Sequence, residues 1–94
     1  MAKAMNDLDV VKMLLRGGYI CRKEPPVCGR IEFTVHSEYG AQRGHITERK
    51  FCKMMELGII YCNQPTTRDK NGNIYNFYFV QTGAENRRDS NGKG

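Results

Sequence analysis

Arg49, Lys50 and Lys53 fall within five residues just after Thr47, and cations at that density offer ion pairs to phosphates or carboxylates. On a helix, Arg49 and Lys53 stand at i,i+4, where like charges weaken an isolated helix by about 0.2–0.5 kcal/mol. Such a pairing suits an anionic partner. It equally suits a solvated face on which Glu48 and Glu56 screen the cations. Arg68 and Lys70 lie farther along, in the polar stretch Gln64 to Asn73, where Asp69, Asn71 and Gly72 carry turn chemistry. That stretch has the charge of a loop that could touch phosphates, or of an ordinary polar turn. Tyr75, Phe77 and Phe79 alternate with Ile74, Asn76, Tyr78 and Val80. Either a central strand is covered on both sides, or one aromatic face stacks bases or meets a partner protein.

Catalytic and metal chemistry find less support. His36, His45, Glu32 and Glu38 are scattered, with no nucleophile beside a base, no paired carboxylates and no phosphate-cradling glycine loop. His45, next to Arg43 and a helix start, reads as a loop residue. Cys21, Cys28, Cys52 and Cys62 lack the two-to-four-residue spacing that pins two ligands to one zinc knuckle. They read as free, buried, inert thiols. The expectation is therefore a protein that is no enzyme and that needs no metal or cofactor.

The elements that would position these residues can be read from spacing. Asn6 or Asp7 caps a first helix to Leu15 or Arg16, with Leu8, Val11, Leu14 and Leu15 at helical intervals as its inward stripe. Gly17 and Gly18 supply its stop, and Tyr19 to Arg22 opens a strand. Pro25 and Pro26 break that strand before Arg30 to His36, where Ile31, Phe33 and Val35 alternate with polar residues. Ser37 to Gly44 reads as a turn or loose hairpin tip. Thr47 then caps a second helix, Glu48 to Leu57, whose inward stripe is Phe51, Met54 and Met55 with Leu57 near its end. Gly58 and Ile59 read as a Schellman stop. Ile59 to Asn63 and Ile74 to Val80 form the last two strands, joined as a long hairpin.

The expected fold is α+β in the order αββαββ, a small antiparallel sheet packed by two helices. Residues 1–83 form one compact domain and 84–94 a disordered polar tail, since Ala84 to Gly94 has no apolar residue larger than alanine. Of 94 residues, 15 are Lys or Arg and 10 Asp or Glu, a net charge of +5 to which the last dozen residues contribute only +1. The folded part is itself basic, which favours a polyanionic partner. No apolar run reaches the roughly 20 residues needed to cross a bilayer. The expected location is the cytoplasm, without membrane contact.

"LLRGGYI" followed by a strand, then "ITERKFCKMMELGIIY" and an aromatic closing strand, resembles the small winged-helix-like proteins of bacteriophages and other mobile elements, across Leu14 to Val80. The resemblance implies that the helix before the wing enters a major groove. It gives Thr47, Arg49, Lys50 and Lys53 that role, beside Glu48, with Arg68 and Lys70 as wing contacts. The functional expectation is a non-enzymatic, nucleic-acid-binding regulatory module. Its alternative is a protein-binding inhibitor of a host enzyme or defence complex, meeting an acidic or nucleic-acid-binding host surface. A homodimer is compatible with either.

Overall fold

The computed structural model describes residues 4–63 and 66–81. Helix α1 spans Asp7–Leu15, and the Asn6 side chain accepts a hydrogen bond from the Asp9 amide at 2.8 Å, satisfying one free N–H of the first turn. The helix stops in a Schellman motif. Gly17, at φ +104°, donates to Leu14 and Gly18 to Met13. Helix α2 spans Glu48–Glu56 and is built the same way: Thr47 Oγ1 accepts from the Lys50 amide at 3.1 Å, Gly58 donates to Met55, and Ile59 donates to Met54.

Each helix therefore hands the chain directly to a strand. After α1 come β1 (Tyr19–Glu24), β2 (Glu32–His36) and β3 (Gln42–His45), and after α2 come β4 (Ile60–Cys62), β5 (Thr67–Arg68) and β6 (Ile74–Val80). All pair antiparallel in the order β3-β2-β1-β6-β4, while β5 adds to β6 beyond the end of β4. The α+β class and the two-helix, antiparallel-sheet plan hold. The order αββαββ does not, because β3 and β5 are additional strands. The segment read as a hairpin tip folds back on β2, its turn held by Ser37 Oγ, which accepts from the Tyr39 and Ala41 amides. A bulge between Val35 and His36 then admits polar Gln42 and Arg43 to the ladder. His45 is thus a strand residue, opposite Thr34. The segment immediately before α2 is strand, not helix. The expected tail, 84–94, lies outside the described residues.

Both helices share one core with one face of the sheet. Val10 and Leu14 of α1, Phe51 and Met54 of α2, and Ile20, Phe33, Val35, Ile60 and Tyr78 of the strands form a single buried cluster. Phe51 lies against Phe33 at 4.4 Å between ring centroids and edge-on to Tyr78 at 4.8 Å. The inward stripes differ from the expected ones. Val10 replaces Leu8 and Leu15, which are 62% and 66% exposed, and on α2 Met55 and Leu57 point to solvent. Leu8, Val11 and Leu15 do form a helical stripe, but Val10 and Leu14 form a second one, and the sheet takes the latter. Ile31 precedes β2 and is only partly buried against the core.

Candidate functional site

Strand pleating sends successive side chains to opposite faces. Ile20, Val35 and Tyr78 point to the helices, so Tyr19, Cys21 and Lys23 of β1, Thr34 and His36 of β2, and Tyr75, Phe77 and Phe79 of β6 point away from them. Both helices pack on the first face, so neither covers this second one, whose rings are half-buried and whose Cys21 is buried. Every residue of β6 is half-buried or buried, and its outward rings Tyr75, Phe77 and Phe79 lie on the face away from the helices.

The rings on this face are held against one another and against the turn after β2. The Gly40 carbonyl can only accept, so His36 Nδ1 donates to it at 3.2 Å, and Nε2 is hydrogen-bonded to Thr34 Oγ1 at 2.9 Å. Tyr19 stacks on that fixed imidazole, centroids 5.0 Å apart and planes 6° from parallel. Phe77 meets Tyr19 edge-on and Phe79 meets it tilted, both at 5.6 Å. At the other end of β6, Tyr75 donates its hydroxyl to Asp69 Oδ2 at 3.0 Å. That bond makes the phenol harder to ionise and holds the Asp69 carboxyl below its ordinary range, where the first contributor is the Asn73 side chain. Cys21 lies beneath these rings, opposite Phe77, and burial pushes its thiol up.

Two cations border the platform: Lys23 stands between Glu32 and Tyr75 in the ladder, and Arg43 sits at the bulge beside His36. Arg68, opposite Ile74, belongs to the other face, and Lys70 lies in the turn between β5 and β6. Rings with flanking cations can stack planar groups and hold the negative charges between them.

The expected basic site is divided. Thr47, Arg49, Lys50 and Lys53 do come together, along a groove of about 340 Å³ between α1 and α2 whose remaining lining is mostly apolar, Val11, Met54, Leu57 and Ile59. Thr47 is the cap of α2. Lys50 is engaged by the protein itself at the surface: its Nζ lies 3.0 Å from Asp7 Oδ1 and donates at 2.8 Å to the Met5 carbonyl. Arg49 and Lys53 are exposed, and among the described residues Lys53 makes no ion pair with Glu56. Arg68 and Lys70 are not part of this cluster, since α2 packs on β2 and β4 while β5 pairs with β6 alone. Tyr19 and His36 are the site residues that the sequence concealed. They lie in different strands, and only the register that sets Tyr19 opposite His36 joins them.

None of the four cysteines is in a disulfide, but Cys28, Cys52 and Cys62 are exposed and only Cys21 fits the expectation of buried thiols. Among the described residues no cluster of His, Cys, Asp and Glu has the arrangement of a metal site, and no helix is long and apolar enough to cross a membrane. Comparison with protein-family models, curated proteins and solved structures returns no match.

Proposed function

We propose that this protein is a non-enzymatic nucleic-acid-binding module that takes a single strand across the open face of its sheet. The observation that carries this reading is the prearranged ring set Tyr19, His36, Phe77 and Phe79 on two central strands and their neighbour. Every base has a π-face, so such a platform binds without reading sequence, and the basic charge of the chain draws the phosphates toward it. A duplex cannot use these rings, because its bases are already stacked. A winged-helix role for α2 would leave Arg49 and Lys53 as its exposed cations and would separate them from Arg68 and Lys70. The sheet face is the better-formed site.

The test is a fluorescence titration with short oligo-dT and oligo-U at low and moderate ionic strength. Binding that weakens with salt is expected, and Phe77→Ala or Phe79→Ala should each weaken it roughly 5- to 150-fold, the equivalent of about 1–3 kcal/mol per stacked base. Absence of binding at low salt would sink the reading. Binding untouched by either substitution would return the site to the helices. The alternative, a protein-binding inhibitor, draws its support from the apolar groove between α1 and α2 and the leucines beside it.

A further inference from the structure

A second cavity lies beside the rings, over the β2–β3 ladder. It encloses about 600 Å³, within the roughly 300–1,000 Å³ of small-ligand sites, and Arg30, Glu32, Thr34, Gln42, His45 and Thr47 line it. Its place follows from register. Glu32 and Thr34 alternate with buried Phe33 and so share the face of Tyr19 and His36, while across the ladder His45 stands opposite Thr34 and Gln42 opposite His36. Thr34 Oγ1 is hydrogen-bonded to His36 Nε2 at 2.9 Å, so the cavity wall and the ring set share a side-chain bond. A strand that stacks on Tyr19 and His36 and runs on toward β3 brings its next base to this cavity.

The rings read no sequence, because they meet only π-faces. The cavity offers hydrogen-bonding groups instead. Among the described residues the side chains of Arg30, Glu32, Gln42 and His45 form no hydrogen bond or ion pair within the protein, and all are exposed. A carboxylate presents two acceptors side by side, and a guanidinium two parallel donors. Of the bases only guanine matches both: its N1–H and N2 amino group are adjacent donors, and its O6 and N7 are adjacent acceptors that an arginine can take together. Adenine and cytosine set an amino group beside a ring acceptor, which a carboxylate repels, and thymine and uracil set their N–H between two carbonyls. A phosphate fits worse still, since Glu32 and Glu48 both line the cavity.

We infer that this cavity is a guanine subsite of the sheet platform, in which Glu32 accepts from N1–H and the N2 amino group and Arg30 donates to O6 and N7. The inference rests on the proposed single-strand binding and adds to it a preference for one base. Glu32 is assigned in place of Glu48 because it stands on the face of the rings, whereas Glu48 begins α2.

The test is a fluorescence titration of the full chain with oligo-dT and with the same strand carrying one central dG, dA or dC. The dG strand should bind roughly 5- to 150-fold more tightly than the others, the discrimination of one good bidentate pair. Deoxyinosine, which lacks the N2 amino group, and 7-deazaguanine, which lacks the N7 acceptor, should each lose part of that gain. Glu32→Gln and Arg30→Ala should remove the preference while oligo-dT still binds, and unchanged far-ultraviolet spectra would show that both variants stay folded. Equal affinity for all four strands overturns the inference and leaves the single-strand reading standing, whereas absence of binding by any strand overturns both. A dG preference that survives both substitutions, or that Glu48→Gln removes in place of Glu32→Gln, also overturns it. Guanosine monophosphate should compete only weakly, because it brings no neighbouring base to the rings. Competition as strong as that of the dG strand would make the cavity a site for free nucleotide and overturn the strand subsite.

Discussion

Lys50 and Asp7 join the two helices across the top of the groove: the ammonium lies 3.0 Å from the carboxylate and donates at 2.8 Å to the Met5 carbonyl. One of the three clustered cations is thereby structural, while Arg49 and Lys53 remain at the surface. Lys50→Met should cost about 1 kcal/mol, since the partly exposed pair is screened but the carbonyl loses a charged donor. Arg49→Ala and Lys53→Ala should each fall within about 0.5 kcal/mol of the parent. Urea denaturation of the three variants makes the comparison, and equal effects would contradict it.

Phe51 is expected to be the costliest single truncation on α2. It touches Phe33 and Tyr78 from inside the cluster, so Phe51→Ala should lose about 3–5 kcal/mol, most of the stability of so small a domain. Met55, four residues on, is 41% exposed, and Met55→Ala should cost less than about 1 kcal/mol. Thermal melts of the pair decide whether α2 is seated as described.

Two glycines should answer differently to alanine. Gly58 has φ +73° with open space around it, so Gly58→Ala carries only the left-handed backbone penalty of about 1–2 kcal/mol. At Gly18 an added Cβ would clash with the His36 carbonyl oxygen and meet Met13 at 2.9 Å. That carbonyl belongs to the β1–β2 ladder and cannot swing aside, so Gly18→Ala should cost about 3 kcal/mol. A Gly18→Ala melt no lower than that of Gly58→Ala would refute the close approach.

The β5–β6 hairpin should loosen in acid. Asp69 accepts from the Asn71 and Asn73 amides, from the Asn73 side chain and from the Tyr75 hydroxyl, and these bonds hold its carboxyl below the usual range, the Asn73 side chain first. A group whose folded pKa is depressed contributes stability that is whole above its unfolded value and is lost as pH falls through the folded one. Amide exchange at Asn71 and Asn73 should therefore rise, relative to core amides, below the ordinary carboxylate range. In Asp69→Ala it should already be fast near neutrality. A flat profile in the parent would exclude the carboxylate as the clasp.

Reversing both exposed cations, Arg49→Glu with Lys53→Glu, should leave the fold intact and reduce the salt dependence of oligonucleotide binding, through the lost long-range attraction. Stacking on the sheet should persist. Complete loss of binding in this variant would transfer the site to α2.

The sequence by itself determined the local features of this protein. Asn6 and Thr47 as caps, the glycine stops at Gly17 and Gly58, and the alternation of Phe33 and Val35 all act over a few residues, so their chemistry is complete in the segment that carries it. Tertiary structure decided which surfaces those segments share. Helix α1 carries two apolar stripes, and only packing on β1, β2 and β6 selects Val10 and Leu14 over Leu8 and Leu15. Strand β3, Gln42 to His45, has no apolar alternation to announce it, because its pairing is a matter of backbone bonds and the β2 turn. The aromatic face was half legible: Tyr75, Phe77 and Phe79 alternate in plain sight, but whether their side of the sheet is covered depends on where both helices go. They go to the same side, since the Ile20, Phe33, Val35 and Tyr78 face alone offers the continuous apolar surface that two amphipathic helices can bury together.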